Sequence, residues 1–408
     1  MTQANHSTNV DFAWTLRKAL ARRLSPRTKL QIMKRYHWLF LQLDRLRDLI
    51  QMTVNGLGQK PQVYFPRYLT KRHNAWRTYA TYPPLRYTSY PLAELCHWVN
   101  LVPDRPRQPC VAECEHILAL ARDITSWQTG LQNLDLINRL VAQDRCRFVF
   151  TYSAGLVEHS RRYLYPDLWS KLGHIYLCAP SQPIAPPPPG SPFTILMIAS
   201  RYSDKGLPEA LQAFRVMRQR HGNAVRMLLV TQAIPSNYSL PEGVIHYDTP
   251  RMSASLKKQV FQAAHVLYIP CYSDTAVPLC EAGSFGVPAL TTRIQHGDEY
   301  VQDGVTGYLI DTPIYAYSAH YGTKWKTWQD FIADIDTTRE SGGLQSVIEQ
   351  SIDRLEAMFS NQADLAAMSC AARALHAKRF SPEARNQCLL RLYAAALAGE
   401  AQFPTFPE

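Results

Sequence analysis

Two basic residues lie where a helix follows an apolar run, and they are the first candidates for chemistry. Arg201 and Lys205 come directly after the apolar residues 193–199, and Gly206 follows them. A phosphate placed there would meet two cations together with the free amides of a helix start. Arginine offers a planar fork and lysine a movable point charge, which suits a diphosphate, and Gly206 permits close backbone approach. The alternative is a surface loop with two ordinary basic side chains.

A carboxylate, Glu281, stands in a predicted helix of small residues (Ala-Gly-Ser at 282–284) after the apolar run at 265–270. At this place a glutamate can accept hydrogen bonds from two neighbouring hydroxyls, as acidic residues do when they bind a ribose. The helix dipole also favours a glutamate in the first turn of a helix. A surface residue without a ligand therefore remains the alternative.

A polar cluster ends a predicted strand at 109–113 in the amino-terminal half. It contains Glu113, Glu115 and His116. If this strand end faces a cleft, His116 is the candidate for contact with a substrate hydroxyl, because histidine exchanges protons near neutral pH. The neighbouring cysteines do not complete a standard metal-binding spacing, and we predict no metal site. Solvated polar residues at a strand end are the alternative.

The elements that position these residues alternate regularly after residue 192. Predicted strands lie at 193–199, 225–231, 243–247, 265–270, 288–292 and 307–310, and predicted helices at 206–220, 253–263 and 276–285. Strands and helices that alternate over short links predict right-handed crossovers and a doubly wound parallel sheet. Ligands of such sheets bind beyond the carboxyl ends of the strands. A helical tail is predicted over 345–398.

The amino-terminal half is less regular. Strands are predicted near 109–113, 147–152 and 174–178, with helices near 133–144 and 153–163 and over 14–51. Residues 52–108 show no clear period, which is typical of binding loops. A proline run then predicts a stiff linker. We divide the chain into an amino-terminal domain (1–185, with a basic helical region at 1–51), a linker (186–192), a carboxy-terminal domain (193–380), and a final helix and tail (381–408).

The composition is that of a globular protein. Hydrophobic residues make up 46% and aromatic residues 11% of the 408 residues, which excludes a disordered chain. There is no apolar run of about 18 residues, so no membrane-spanning helix is expected. The first residues lack an apolar signal core, and we expect a cytoplasmic protein. Nine scattered cysteines without a Cys-x2-Cys pair support neither a zinc knuckle nor a disulfide scaffold.

The positive charge is concentrated at the amino terminus. Residues 1–110 contain 18 Lys/Arg and 5 Asp/Glu, although the net charge of the whole chain is only +11. Within 14–47 the basic residues interleave with leucines, which is compatible with peripheral contact with an anionic membrane or with a solvated helical face. We predict no nucleic-acid partner, because no recognised binding motif accompanies the charge.

Three segments in this order resemble a known family. SRYSDKG, LCEAGSFGVPALTT and EYVQDGVTGYLID are similar to the carboxy-terminal domain of retaining group 1 (family four) glycosyltransferases with the GT-B fold, and FSPEARNQCLLRLY resembles that family's closing helix. The resemblance covers mainly residues 190–395. It implies an α/β protein of two Rossmann-like, doubly wound domains facing a central cleft. The carboxy-terminal domain would bind a nucleotide sugar and the amino-terminal domain an acceptor, without a metal or any cofactor beyond this co-substrate.

The resemblance also implies roles for particular residues. Arg201, Lys205 and Gly206 would bind the donor diphosphate, and Glu281 the ribose. The donor sugar and phosphate pocket would be lined by Ser273, Asp274, Thr291, Thr292 and the His296-Gly297 turn. His116 and Glu281 are the residues that we place at the catalytic centre.

The sequence departs from the family pattern at one informative position. The family has Glu-x7-Glu, whereas here Ser273 stands eight residues before Glu281 and Asp274 is its neighbour. Either Asp274 substitutes for the missing glutamate, or the sugar is recognised differently. The spacing from Arg201 to Lys205 is also one residue shorter than is common in the family, and the amino-terminal half has no clear glycine-rich loop.

The resemblance implies a retaining, metal-independent hexosyltransferase. Front-face displacement, in which the leaving phosphate helps to deprotonate the acceptor, would require mainly positioning and electrostatic stabilisation from the protein. Two alternatives share the fold. One is a non-catalytic nucleotide-sugar-binding protein, and the other is a nucleotide-sugar epimerase.

Overall fold

The structure is a computed structural model. It describes residues 62–64, 86–87, 93–121, 127–183, 187, 190–232, 234–235, 238–249, 252–294, 297–318, 320 and 324–406. The predicted helix at 14–51, the predicted membrane contact through 14–47 and part of the predicted linker at 186–192 lie outside these residues. No helix in the described part of the chain is long and apolar enough to cross a membrane.

The first domain is built on a parallel six-stranded sheet with the order β2-β1-β3-β4-β5-β6. Its strands are β1 (Gln62–Tyr64), β2 (Arg86–Tyr87), β3 (Leu95–Val99), β4 (Cys110–Glu113), β5 (Cys146–Thr151) and β6 (Leu172–His174). Its helices are α1 (Trp127–Gln132), α2 (Leu134–Ala142) and α3 (Ala154–Arg161), with 3-10 turns at Ile117–Ala121 and Pro166–Lys171. Ser153 caps α3, since its side chain accepts from the amide of Leu156.

The second domain contains another parallel six-stranded sheet, with the order β12-β11-β10-β7-β8-β9. Its strands are β7 (Phe193–Ala199), β8 (Val225–Thr231), β9 (Val244–Tyr247), β10 (Val266–Ile269), β11 (Ala289–Thr292) and β12 (Gly307–Ile310). Its helices are α4 (Leu207–His221), α5 (Ala254–Ala263), α6 (Ala276–Phe285), α7 (Gly297–Tyr300), α8 (Trp328–Glu340), α9 (Gln345–Ser360) and α10 (Gln362–Leu375). The prediction of a doubly wound parallel sheet is confirmed.

Two predictions for the first domain were wrong. Strand β3 lies inside the stretch 52–108, which we expected to be irregular. All but one of its residues are buried, and a strand that is covered on both faces shows no alternating pattern. The strand expected at 174–178 is β6, which ends at His174.

The final helix, α11 (Pro382–Ala398), packs against the sheet of the first domain. A π-helical turn at His376–Phe380 connects α10 to it. Leu389, Leu392 and Ala396 form one buried cluster with Val111 of β4 and Phe150 of β5. The carboxy-terminal helix therefore completes the core of the amino-terminal domain.

Candidate functional site

The candidate site lies at the switch point of the second sheet. From β7 the chain proceeds to β8 and β9 on one side, and then returns to place β10 on the other side of β7. The loops after β7 and β10 therefore diverge beyond the carboxyl ends of two neighbouring strands, where such sheets bind ligands. Arg201 and Lys205 come from the first loop, and Ser273 and Asp274 from the second.

Arg201 is held by a buried carboxylate that our sequence reasoning did not select. Its Nε lies 2.8 Å from each carboxylate oxygen of Asp204, which is fully buried. The guanidinium carbon lies 4.8 Å from the centroid of the Trp328 ring. Burial alone would raise the pKa of Asp204, but Arg201, Lys205 and Ser273 outweigh burial and lower it. Asp204 is therefore a carboxylate that balances part of the local positive charge.

Lys205 is half-buried beside Arg201, and its Nζ donates to the main-chain carbonyl of Asp274. Burial and the charge of Arg201 lower its pKa. An anion that approaches Lys205 would raise this pKa again, because it stabilises the charged form of the amine. The two predicted diphosphate ligands are thus brought together at one edge of the sheet.

Gly206 packs closely against the main chain at the end of β10. Its φ is +67°, and a Cβ atom at this position would lie 2.0 Å from the carbonyl oxygen of Pro270. Only glycine fits here, because the loop after β7 passes directly over the end of β10. The close backbone approach is thus made by another part of the protein, and a contact of Gly206 with a phosphate stays a prediction.

The side chains of Ser273 and Asp274 contact different parts of the protein. Ser273 is buried, and its Oγ donates to Oδ2 of Asp204 at 2.6 Å. Asp274 meets the first domain, because its Oδ2 accepts from the hydroxyl of Tyr152 at 2.6 Å. Its Oδ1 accepts from the amide of Ala276 at the start of α6. Of the two residues, Asp274 is the one at the boundary between the domains.

Glu281 is buried on α6, and its Oε1 forms an ion pair with Nζ of Lys257 on α5. Lys257 is a further residue that sequence reasoning missed. An ion pair orients the carboxylate and offsets the cost of its burial. The role of Glu281 in binding a ribose stays a prediction.

Thr291 and Thr292 end strand β11, and both are buried. The hydroxyl of Thr291 donates to the carbonyl of Ile269 at 2.8 Å, and that of Thr292 to the carbonyl of Cys271. Both hydroxyls therefore connect β11 to the end of β10, and their contact with a ligand stays a prediction. His296 of the predicted His296-Gly297 turn lies outside the described residues.

His116 is buried in a cluster of aromatic rings between the domains. Its ring stacks on Tyr317 with centroids 5.3 Å apart and planes 9° apart. Its Nδ1 accepts from the amide of Leu118, and its Nε2 lies 2.7 Å from Nδ1 of His159. Burial, and secondarily His159, lower the pKa of His116 well below its usual value. The ring is therefore neutral and both of its nitrogens are engaged, so its catalytic role stays a prediction.

Glu113 was expected to face a cleft, but it lies beneath the closing helix. Its Oε1 accepts from Nη2 of Arg385 at 2.7 Å beneath the closing helix, and His97 lies 3.5 Å from its Oε2. A strand end in a parallel sheet was correctly expected, but the sequence gives no sign that a helix from the other end of the chain covers it.

The two domains are joined by hydrogen bonds from the segment after β5. Besides the bond from Tyr152 to Asp274, the hydroxyl of Tyr300 donates to the carbonyl of Tyr152 at 3.0 Å. The amides of Ala154 and Gly155, at the start of α3, donate to the carboxylate of Glu299 at 2.7 and 2.8 Å. The start of α3 thus holds an anionic group from the other domain.

Of the residues that were not predicted, Asp204 has a local sequence pattern that could have marked it, and the others do not. Asp204 follows Arg201 by three positions, a spacing at which opposite charges often pair in a helical turn. Lys257, Tyr317 and Trp328 come from elements distant in sequence, and no local pattern marks them. Among the described residues, no group of three or more His, Cys, Asp or Glu side chains is placed to hold a metal ion.

Two facing parallel α/β domains, with a last helix that returns to the first, define the GT-B fold of glycosyltransferases. Residues 192–318 match the model of the family described as Glycosyl transferases group 1, which confirms the resemblance over this part of the chain. No curated protein matches the chain.

Several solved structures are similar to this chain at low sequence identity. A glycosyltransferase from Rickettsia africae ESF-5 is 13% identical, with a TM-score of 0.50 over 81% of this chain and 79% of that one. Anabaena Alr3699/HepE in complex with UDP-glucose is 14% identical, with a TM-score of 0.46 over 74% and 79%. The GtfA/B complex is 11% identical, with a TM-score of 0.48 over 71% of this chain and 53% of that one. This chain thus spans about half the length of the GtfA/B chain.

Proposed function

We propose that the protein transfers a sugar from a nucleoside diphosphate donor to an acceptor with retention of configuration. The observation that carries this proposal is the arrangement of Arg201, Lys205 and Asp274 at the switch point of the second sheet, inside the segment that matches group 1 glycosyltransferases. Two cations in one loop beyond the carboxyl end of β7 suit the leaving diphosphate better than any neutral ligand.

The resemblance to the family suggests a role for each of these residues. Arg201 and Lys205 would neutralise the charge that develops on the departing diphosphate, and Glu281 would bind the ribose hydroxyls. Asp274 would approach the donor sugar, since it lies where the second domain meets Tyr152 of the first. The first domain would bind the acceptor, so that transfer occurs between the two domains and away from water.

The test is a panel of UDP-, GDP- and ADP-sugars, with binding measured by calorimetry and products by NMR. We expect one donor to bind and the product to keep the anomeric configuration of the donor. Lys205→Ala should abolish donor binding, whereas the exposed Lys378→Ala should not change it. If no nucleotide sugar or nucleoside diphosphate binds, the proposal is wrong; an inverted product would refute retention only.

A second candidate is a nucleotide-sugar-binding protein without turnover. The inward orientation of Ser273, where the family has a glutamate, favours it. Donor binding without hydrolysis or transfer, across saccharide and lipid acceptors, would support this candidate. Release of an epimerised donor in the absence of any acceptor would instead support an epimerase.

Peripheral membrane contact through residues 14–47 is a separate proposal, which rests on the excess of positive charge in residues 1–110. Binding to anionic vesicles should be strong at low salt and weaker at high salt, because salt screens exposed charges. Co-sedimentation with phosphatidylserine vesicles tests it, with phosphatidylcholine vesicles as the control. Absence of binding at both salt concentrations would refute it.

A further inference from the structure

Arg201 is fixed from three directions by residues of three different elements. Asp204 meets its Nε from the same loop, and Ser273, from the loop after β10, lies 3.4 Å from its Nη2. Trp328, the first residue of α8, covers the face of the guanidinium at 4.8 Å. We name Asp204, Ser273 and Trp328 the arginine clamp.

We infer that the arginine clamp positions Arg201 for the donor diphosphate, and that Ser273 serves the clamp and does not bind the donor sugar. The inference rests on the proposed function, since it assigns positioning residues to the same site. It also accounts for the departure from the Glu-x7-Glu pattern of the family.

The geometry of the guanidinium supports this inference. An arginine side chain has many rotamers, and ordering it at the moment of binding costs free energy. The clamp orders Arg201 before a ligand arrives, and its contacts engage Nε and Nη2. The remaining nitrogen, Nη1, makes none of these contacts. Almost half of the Arg201 side chain is exposed, so a ligand can reach it. A fixed arginine with an open edge is a preorganised site for an oxyanion.

The surroundings of position 273 explain why a serine stands there. Ser273 is 1% exposed, and its hydroxyl lies 2.6 Å from the carboxylate of Asp204. A glutamate in its place would bring a second carboxylate against a buried one, and like charges at that distance are unfavourable. In this chain, therefore, position 273 is compatible with a hydrogen-bond donor to Asp204 and not with the glutamate of the family pattern.

The test is a double-mutant cycle in the full chain, with UDP, GDP and ADP as calorimetric probes. Trp328→Ala should weaken binding of the preferred diphosphate about tenfold, as expected for the loss of a partly desolvated cation–π contact. Trp328→Phe should restore most of the affinity. In the Arg201→Ala background, Trp328→Ala should have no further effect, because Trp328 acts through Arg201.

Position 273 supplies the second arm of the test. Ser273→Ala should weaken diphosphate binding severalfold, again only when Arg201 is present, because Ser273 contacts Arg201 and Asp204 and acts on the diphosphate only through Arg201. Ser273→Glu should weaken binding of both the diphosphate and the nucleotide sugar. Selectively tighter binding of the nucleotide sugar by Ser273→Glu would overturn the inference.

The two hypotheses fail in different ways. If the wild-type protein binds none of the three diphosphates, or if Arg201→Ala leaves binding unchanged, the proposed function is wrong at this site. If wild-type binding requires Arg201 but the effects of Trp328→Ala and Ser273→Ala are absent or are the same without Arg201, only the arginine clamp is refuted.

Discussion

Arg385 of the closing helix donates from Nη2 to Oε1 of Glu113 at 2.7 Å, and both side chains are buried. Its Nη1 also donates to the carbonyls of Ile175 and Tyr176, just beyond β6. One arginine therefore attaches α11 to two parts of the first domain. Because both charges are removed from water, their pairing matters more for stability than an ion pair at the surface.

Replacement of Arg385 by methionine should be strongly destabilising. The variant leaves the Glu113 carboxylate buried without its charge partner, which costs about 3–5 kcal/mol. Urea unfolding of the purified chain gives the free energy difference. The matched control is Arg391→Met, an exposed arginine on the same helix. Equal stability of the two variants would contradict the role of Arg385.

The stability contributed by Glu113 should depend on pH in the acid range. Burial alone would raise the pKa of Glu113, but Arg385 and His97 outweigh it and lower the pKa from 4.5 to about 2. A carboxyl whose pKa is depressed on folding stabilises the protein above its unfolded pKa, and this contribution is lost as the pH falls toward the folded pKa. The stability difference between wild type and Glu113→Gln should therefore shrink between pH 4.5 and about 2. Thermal unfolding measures it, and a constant difference would disprove the prediction.

Gly206 and Gly304 form a matched pair for testing close backbone packing. Both have positive φ, +67° and +74°, but only at Gly206 would a Cβ meet another atom, the carbonyl of Pro270 at 2.0 Å. Gly304→Ala should lower the free energy of unfolding by about 1–2 kcal/mol, because it adds only the strain of a left-handed residue. Gly206→Ala should lower the free energy of unfolding clearly more, because its Cβ would also collide with the carbonyl of Pro270. Similar unfolding free energies for the two variants would show that the loop after β7 relaxes freely.

Replacement of Glu281 by glutamine should separate recognition of the ribose from recognition of the phosphates. The carboxylate would accept two hydroxyl hydrogen bonds, each worth about 1.5–3 kcal/mol when the acceptor is charged, so binding of a nucleoside diphosphate should weaken at least tenfold. Binding of inorganic pyrophosphate should change little. Calorimetry with UDP, GDP, ADP and pyrophosphate compares them, and a parallel loss for all would assign Glu281 a structural role with Lys257.

The sequence predicts the second domain well because local patterns determine it. Strands β7 and β8 have the predicted bounds, since each is an apolar run bounded by polar or helix-starting residues. Strand β3 escaped prediction because burial on both faces removes the alternation that marks a strand.

The candidate site was predictable only in part. Arg201, Lys205 and Glu281 follow strands of one parallel sheet, so their position at the carboxyl edge of that sheet could be predicted. Their partners could not, because Lys257 and Trp328 reach the site from other helices. The enclosure of His116 by Tyr317 likewise depends on how the two domains meet.

The return of α11 to the first domain also has a consequence for biosynthesis. Domains usually fold one after another as they leave the ribosome. Here Leu389 and Leu392 fill the core of a sheet whose strand β4 is made almost 280 residues earlier in a chain of 408. The apolar face of the amino-terminal sheet that α11 covers therefore stays exposed until α11 itself has left the ribosome.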